Sequence, residues 1–168
     1  MHLYLVRHAI AEEADAKRWP DDRQRPLTKA GARRFKGTAG ALAAVMEAAG
    51  VVDRLLTSPL ERARQTAAIL HRAGLPEPIE ERVLAPGRTA ARVLAVLRAH
   101  DVQSIVVVGH EPDLGRLLGV CVAGADAKLA LRFRKGGAAG LYFTGPPRVG
   151  EATLEWLLPP KVLRALLD

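Results

Sequence analysis

A three-layer α/β/α sandwich with a mostly parallel central sheet is the fold this 168-residue sequence predicts, and two observations carry that prediction. Short apolar runs without alternation, Leu3–Val6 and Ile105–Val108, suit strands covered on both faces, and they are interleaved with amphipathic stretches of helical period. The hydrophobic content is 49%, built mainly from Ala, Leu and Val with only 4% aromatic residues, which favours helices packed on a sheet over an all-β sandwich. The length suits one domain spanning residues 1–168.

The first strand, Leu3 to Val6, stops at Arg7-His8, which places both side chains at the carboxyl end of a strand, where open α/β sheets form their binding crevices. Residues 11–26 are polar and aperiodic and read as a loop with room for a short helix, anchored by Trp19; Arg25 closes it and is a candidate to bring its guanidinium to the site. Thr28 caps a helix running to about Ala49, with Phe35, Ala39, Leu42 and Met46 on one face and Gly50 as its stop. A second strand, Asp53–Thr57, leads into Ser58-Pro59-x-Glu61-Arg62. Here Ser58 and Glu61 have the spacing of a capping box and Pro59 suits the first helical position. The first turn of that helix would offer free N–H groups and Arg62 to an anion.

The second helix ends near Gly74, a third strand is expected over 79–83, and a third helix over 89–100 leaves His100 at a solvated end. His2 and His71 also read as ordinary surface positions. Ser104–Val108 is the strongest strand of the chain and ends in Gly109-His110-Glu111-Pro112, which opens a helix over 113–123. Lys128–Lys135 alternates Leu129, Leu131 and Phe133 with Ala130, Arg132 and Arg134 and predicts an edge strand guarded by those arginines. Residues 141–144 and 152–157 predict a hairpin, and Pro159-Pro160 begins a short C-terminal helix. The glycines at 136, 137 and 140 do not form a dinucleotide fingerprint, so no nucleotide cofactor is expected.

The net charge of +7, from 25 Lys and Arg against 18 Asp and Glu, points to anionic partners. The basic residues are dispersed among acidic ones and stacking platforms are few, so nucleic acid is not the expected partner, and a phosphorylated substrate is. No apolar run approaches the ~18 residues of a membrane span, and a strand occupies the position where a leader would lie. A cytoplasmic protein is therefore expected. The one cysteine, Cys121, has valine neighbours and reads as a packed thiol. No paired carboxylate–histidine spacing suits a metal ion.

Four ordered motifs now stand together: Leu5-Val6-Arg7-His8-Ala9; Arg25-Pro26-Leu27-Thr28 with Gly31; Ser58-Pro59 with Arg62-Ala63 and Gln65-Thr66; and Val108-Gly109-His110-Glu111-Pro112. With them the chain resembles the histidine phosphatase (phosphoglycerate mutase-like) superfamily, and within it the small SixA-type phosphohistidine phosphatases. The resemblance implies a phosphoglycerate mutase-like fold, His8 as nucleophile, Arg7 and Arg62 as phosphate ligands, and His110 as second histidine of the pocket. It also implies a metal-independent hydrolase acting on a phosphohistidine protein. The open alternatives are a broad phosphomonoesterase for small esters or nucleotides and a non-enzymatic basic binder. The chain departs from larger members of the superfamily, which carry a glutamate general acid in an elaborated segment after the second helix. Residues 75–88 are short, and the acid is left unassigned among Glu80, Glu81 and Glu111. The missing insertion implies an open pocket that admits a histidine displayed on another protein.

Overall fold

The computed structural model describes residues 1–124 and 129–165. Six strands, β1 (His2–Arg7), β2 (Arg54–Thr57), β3 (Pro78–Glu80), β4 (Ser104–Gly109), β5 (Ala138–Tyr142) and β6 (Thr153–Leu158), form one sheet in the order β3-β2-β4-β1-β5-β6. The pairs β3/β2, β2/β4 and β4/β1 are parallel, whereas β1/β5 and β5/β6 are antiparallel. The helices are α1 (Lys29–Glu47), α2 (Glu61–Arg72), α3 (Ala90–Ala99), α4 (Asp113–Ala123) and α5 (Pro160–Ala165).

Strand pleating sends alternate side chains to opposite faces, and here it divides the core in two. Tyr4 and Val6 of β1 join Val106 and Val108 of β4 under α1, α2 and α5, including Phe35, Leu42, Met46, Leu70 and Leu163. Leu3 and Leu5 join Ile105 and Val107 under α3 and α4, including Leu94, Leu97, Leu117 and Cys121. The expected layers and the parallel centre of the sheet are thus present. Burial pushes the Cys121 thiol up to about 12, so it stays protonated inside the second core.

Four local expectations are corrected. Residues 129–134 form no strand, and Lys128 lies outside the described residues. The sheet's edges are β3 and β6 instead, and the segment is anchored by Phe133, 2% exposed, with Leu131 half-buried against the same core, while Arg132 and Arg134 are exposed. The hairpin strand β5 begins at Ala138 instead of Leu141, because Ala138, Ala139 and Gly140 pair with both β1 and β6, and the Trp156 ring lies where a Cβ of Gly140 would stand. The third strand is shorter, Pro78–Glu80, and gives way to a 3-10 turn over Arg82–Leu84 that carries Leu84 into the core. Finally, α2 begins at Glu61 after Leu60, without a side-chain cap. Ser58 and Glu61 form no capping box: the Glu61 carboxylate accepts instead from Gln65 at 2.9 Å.

Candidate active site

The register of the sheet assembles the site. Pairing of Arg7 with Gly109 puts the ends of β1 and β4 side by side, and the His8 N–H donates to the Gly109 carbonyl at 3.0 Å. Pairing of Thr57 with Val108 places the end of β2 on the other side, where the Ser58 N–H donates to the Val108 carbonyl at 3.0 Å. Three consecutive strand ends, β1, β4 and β2, therefore deliver His8, His110 and Ser58 to one rim. The His8 and His110 rings lie 5.1 Å apart between centroids, and His110 Nε2 is 2.8 Å from Ser58 Oγ. His8 is 6% exposed and His110 4%.

His8 is held by its own backbone surroundings. Its Nδ1 lies 2.7 Å from the Ala9 carbonyl, which only accepts, so Nδ1 carries the proton and Nε2 keeps a free lone pair. The Ala9 N–H in turn donates to Thr66 Oγ1 at 3.0 Å, and that hydroxyl donates to the Arg62 carbonyl at 2.7 Å. Burial, opposed in part by the Ala9 contact and reinforced by Arg62, Arg7 and Lys135, lowers the His8 pKa to about 4. Burial, then the neighbouring His8 and Arg62, lowers that of His110 to about 3. Both imidazoles are neutral at pH 7.

The arginines come from two different elements. Arg7, at the end of β1, donates Nη1 to the Phe133 carbonyl at 2.6 Å and leaves a buried Nε without partner. Arg62, from the first turn of α2, is 5% exposed and also leaves its Nε unpartnered. A buried donor left unmet costs ~1–3 kcal/mol, so two such donors near one imidazole make a place for an anion.

Asp22, in the 3-10 turn of the 11–26 loop, holds the other side of this cluster. Arg25 Nε donates to Asp22 Oδ1 at 2.6 Å, Arg62 Nη2 lies 3.1 Å from Asp22 Oδ2, and Arg62 Nη1 donates to the Asp22 carbonyl at 2.9 Å. Arg25 also donates Nη1 to the Glu12 carbonyl at 2.7 Å. Arg25 is thereby joined to Arg62 through one carboxylate, and those arginines hold the Asp22 carboxyl below its ordinary range.

The second motif fixes the chain just past His8. The Thr28 N–H donates to the Ile10 carbonyl at 3.0 Å, the Leu27 N–H to Gln65 Oε1 at 2.7 Å, and Gly31 lies so close to the Ile10 carbonyl that any Cβ would collide with it. Gln65, Thr66 and Gly31 thus act as supports for the loop that follows the first histidine. Sequence spacing alone assigned them no role, nor did it place Ser58 or Asp22 in the site. The signal for Ser58 lay in strand register, which no local window contains.

Of the three acid candidates, Glu80 pairs with Arg64 at 3.1 Å and Glu81 with His100 at 3.5 Å, on the β3 side of the sheet. Glu111 follows His110 directly. Its Oε1 accepts from the Gly115 N–H at 2.9 Å, and burial raises its pKa, opposed by Gly115 and Arg7. Among the described residues no group of three or more His, Cys, Asp and Glu is placed to hold a metal ion, and no helix is long and apolar enough to cross a membrane. A cleft of about 860 Å³ carries Arg23, Arg64, Arg82 and Arg88 beside Pro59 and Leu60, and His8 does not line it.

Arg7-His8 at the end of β1, His110 just past the adjacent parallel strand β4 and Arg62 from α2, the helix after β2, thus gather two neutral imidazoles and two guanidinium groups at one rim, an arrangement suited to an anion. Residues 3–85 match the histidine phosphatase superfamily (branch 1). Over 97% of its length the chain superposes on 99% of the protein histidine phosphatase SixA complexed with tungstate, with a TM-score of 0.80 and 26% identity. A protein from Agrobacterium tumefaciens assigned to the phosphohistidine phosphatase SixA gives a TM-score of 0.74 at 28% identity, covering 95% of this chain and 97% of that one. An uncharacterized protein of Picosynechococcus sp. is 37% identical over 173 residues, 95% of this chain and the whole of that protein. The chain belongs to branch 1 of the histidine phosphatase superfamily.

Proposed function

We propose that residues 1–168 form one phosphohistidine phosphatase domain that works through a covalent phosphohistidine intermediate on His8, without a metal ion. The observation that carries this reading is the His8 Nδ1–H to Ala9 carbonyl bond of 2.7 Å, which leaves the lone pair of a neutral imidazole on Nε2, within the influence of Arg62 and Arg7. Nε2 attacks the phosphorus, the bond from phosphorus to the departing nitrogen breaks, and that nitrogen leaves as imidazole once protonated. The Ala9 carbonyl stabilises the positive charge that develops on the His8 ring. Arg7 and Arg62 offer their unmet Nε–H donors to the equatorial oxygens, as planar forks that a lysine does not reproduce. Water then attacks phospho-His8, freeing phosphate and regenerating Nε2, with His110, oriented by Ser58, beside the reacting centre.

Phosphohistidine is favoured as substrate because its leaving group, with a conjugate-acid pKa near ~6.5, departs readily without a dedicated carboxylic acid. The likeness to SixA supports the same class. A second reading, a broad phosphomonoesterase, is favoured by one feature: Glu111, raised by burial and next to His110, is a carboxyl group suited to donate a proton. A substrate panel decides between them. With chelator present, a phosphohistidine protein should be turned over faster than p-nitrophenyl phosphate, and alkyl phosphates should be poor; equal rates on alkyl phosphates would favour the second reading.

A further inference from the structure

Beside the site, on the α1 and α5 side, a groove of about 630 Å³ runs from Ala9 and Ile10, the residues that follow His8. Its apolar lining includes Phe35, Leu157, Pro159 and Pro160. Its charged lining is of one sign: Arg34 from α1, Arg132, Arg134 and Lys135 from the segment before β5, and Lys161 and Arg164 from α5. No Asp or Glu lines it, and among the described residues none of these six cations makes an ion pair. Arg18, Arg23, Arg25, Arg62, Arg64, Arg116 and Arg148 face carboxylates, and what sets this groove apart is that six cations gather in one lining with no carboxylate among them. Six unpaired cations in one groove nearly equal the net charge of the whole chain, +7.

We infer that this groove is the docking site for an acidic, partly apolar segment of the protein that carries the phosphohistidine. The inference rests on the proposed substrate class and adds a recognition surface to it. Concentrating like charges around an apolar floor costs self-repulsion, which an acidic partner relieves while its apolar side chains settle on Leu157 and the two prolines. The groove adjoins His8 through Ala9, and Lys135 is one of the charges that hold His8 neutral, so a segment lying there delivers a neighbouring phosphoryl group to the site. Nucleic acid fits less well: Phe35 is 3% exposed and offers no open face for a base to stack on.

The test uses the full chain and a short fluorescein-labelled peptide alternating Glu and Leu, without phosphate, read by anisotropy. Wild type should bind it, more weakly as salt rises. The triple variant Arg34→Glu, Arg134→Glu, Lys161→Glu should lose about tenfold or more in affinity. All three residues are exposed, and kcat/KM on p-nitrophenyl phosphate should stay at the wild-type value. On a phosphohistidine protein the same variant should raise KM. No binding by wild type, or equal binding by the variant, overturns the inference. So does tighter binding of a duplex oligonucleotide or of anionic vesicles than of the peptide through these same residues. If wild type binds the peptide but does not hydrolyse phosphohistidine, the groove stands as an acidic-peptide site and the proposed substrate class falls.

Discussion

Replacing Ser58 by alanine separates two roles for one hydroxyl. Local spacing makes Ser58 a helix cap, whose loss costs ~1 kcal/mol of stability and leaves chemistry untouched. The structure gives it another partner: Ser58 Oγ, in a residue 0% exposed, lies 2.8 Å from His110 Nε2, in a residue 4% exposed. His110 Nδ1 is already buried without a partner, so Ser58→Ala would leave both ring nitrogens unmet. A buried polar group stripped of its partner costs ~1–3 kcal/mol. If that cost falls on the transition state, kcat drops about 5- to 150-fold, at ~1.4 kcal/mol per factor of ten. The assay is kcat and KM on p-nitrophenyl phosphate beside a thermal melt, with Glu61→Ala as control because Glu61 touches Gln65 and not the histidines. The reasoning holds if kcat falls in Ser58→Ala and not in Glu61→Ala. It fails if Ser58→Ala melts lower but keeps kcat within about twofold of wild type.

Other outcomes follow from the same geometry. Arg62→Ala should lower kcat/KM by about 10²- to 10³-fold, the cost of one preorganised donor, and Arg62→Lys should recover little of it; recovery by lysine would mean that charge alone suffices. The folded state resists protonating His8 down to about pH 4, whereas an unfolded histidine takes its proton near 6.5, so the unfolded state binds more protons in that window. Stability should therefore decline as pH falls from about 6.5 towards 4, by at most about 3 kcal/mol from His8. Urea titrations of wild type against His8→Ala measure the difference, and a parallel decline in the two proteins would contradict the neutral, buried imidazole. A plot of log kcat/KM against leaving-group pKa for aryl and alkyl phosphates should slope steeply downward in wild type. A shallow slope that steepens only in Glu111→Gln would make Glu111 the proton donor.

The central strands were legible because a strand covered on both faces leaves an unbroken apolar run, and β1 and β4 are such runs. Arg7, His8 and His110 stood out because charged and titratable residues interrupt those runs at the sheet's carboxyl edge. Arg62 was legible from the first turn of a helix, although the cap assigned to that turn was wrong. Ser58 at the strand end was captured by register with β4, a long-range pairing that competes with local capping and here wins. The 129–134 segment illustrates the opposite error. Alternation of Leu129, Leu131 and Phe133 with Ala130, Arg132 and Arg134 satisfies a strand pattern, yet the segment pairs with no strand and instead lends the Phe133 carbonyl to Arg7. Asp22 was invisible for a simpler reason: an aspartate in a polar loop has no pattern until the fold sets two arginines against it.

The most direct test of His8 as the nucleophile is to trap the intermediate. Wild type mixed with a radiolabelled phosphoryl donor and quenched during turnover should carry label that is stable to alkali and labile to acid, as a phosphoramidate is, and peptide mapping should place it on His8. His8→Ala should carry none, while still unfolding in one cooperative transition and binding inorganic phosphate through its arginines. Label on His110 or any other residue, or sustained turnover by His8→Ala, would contradict the account.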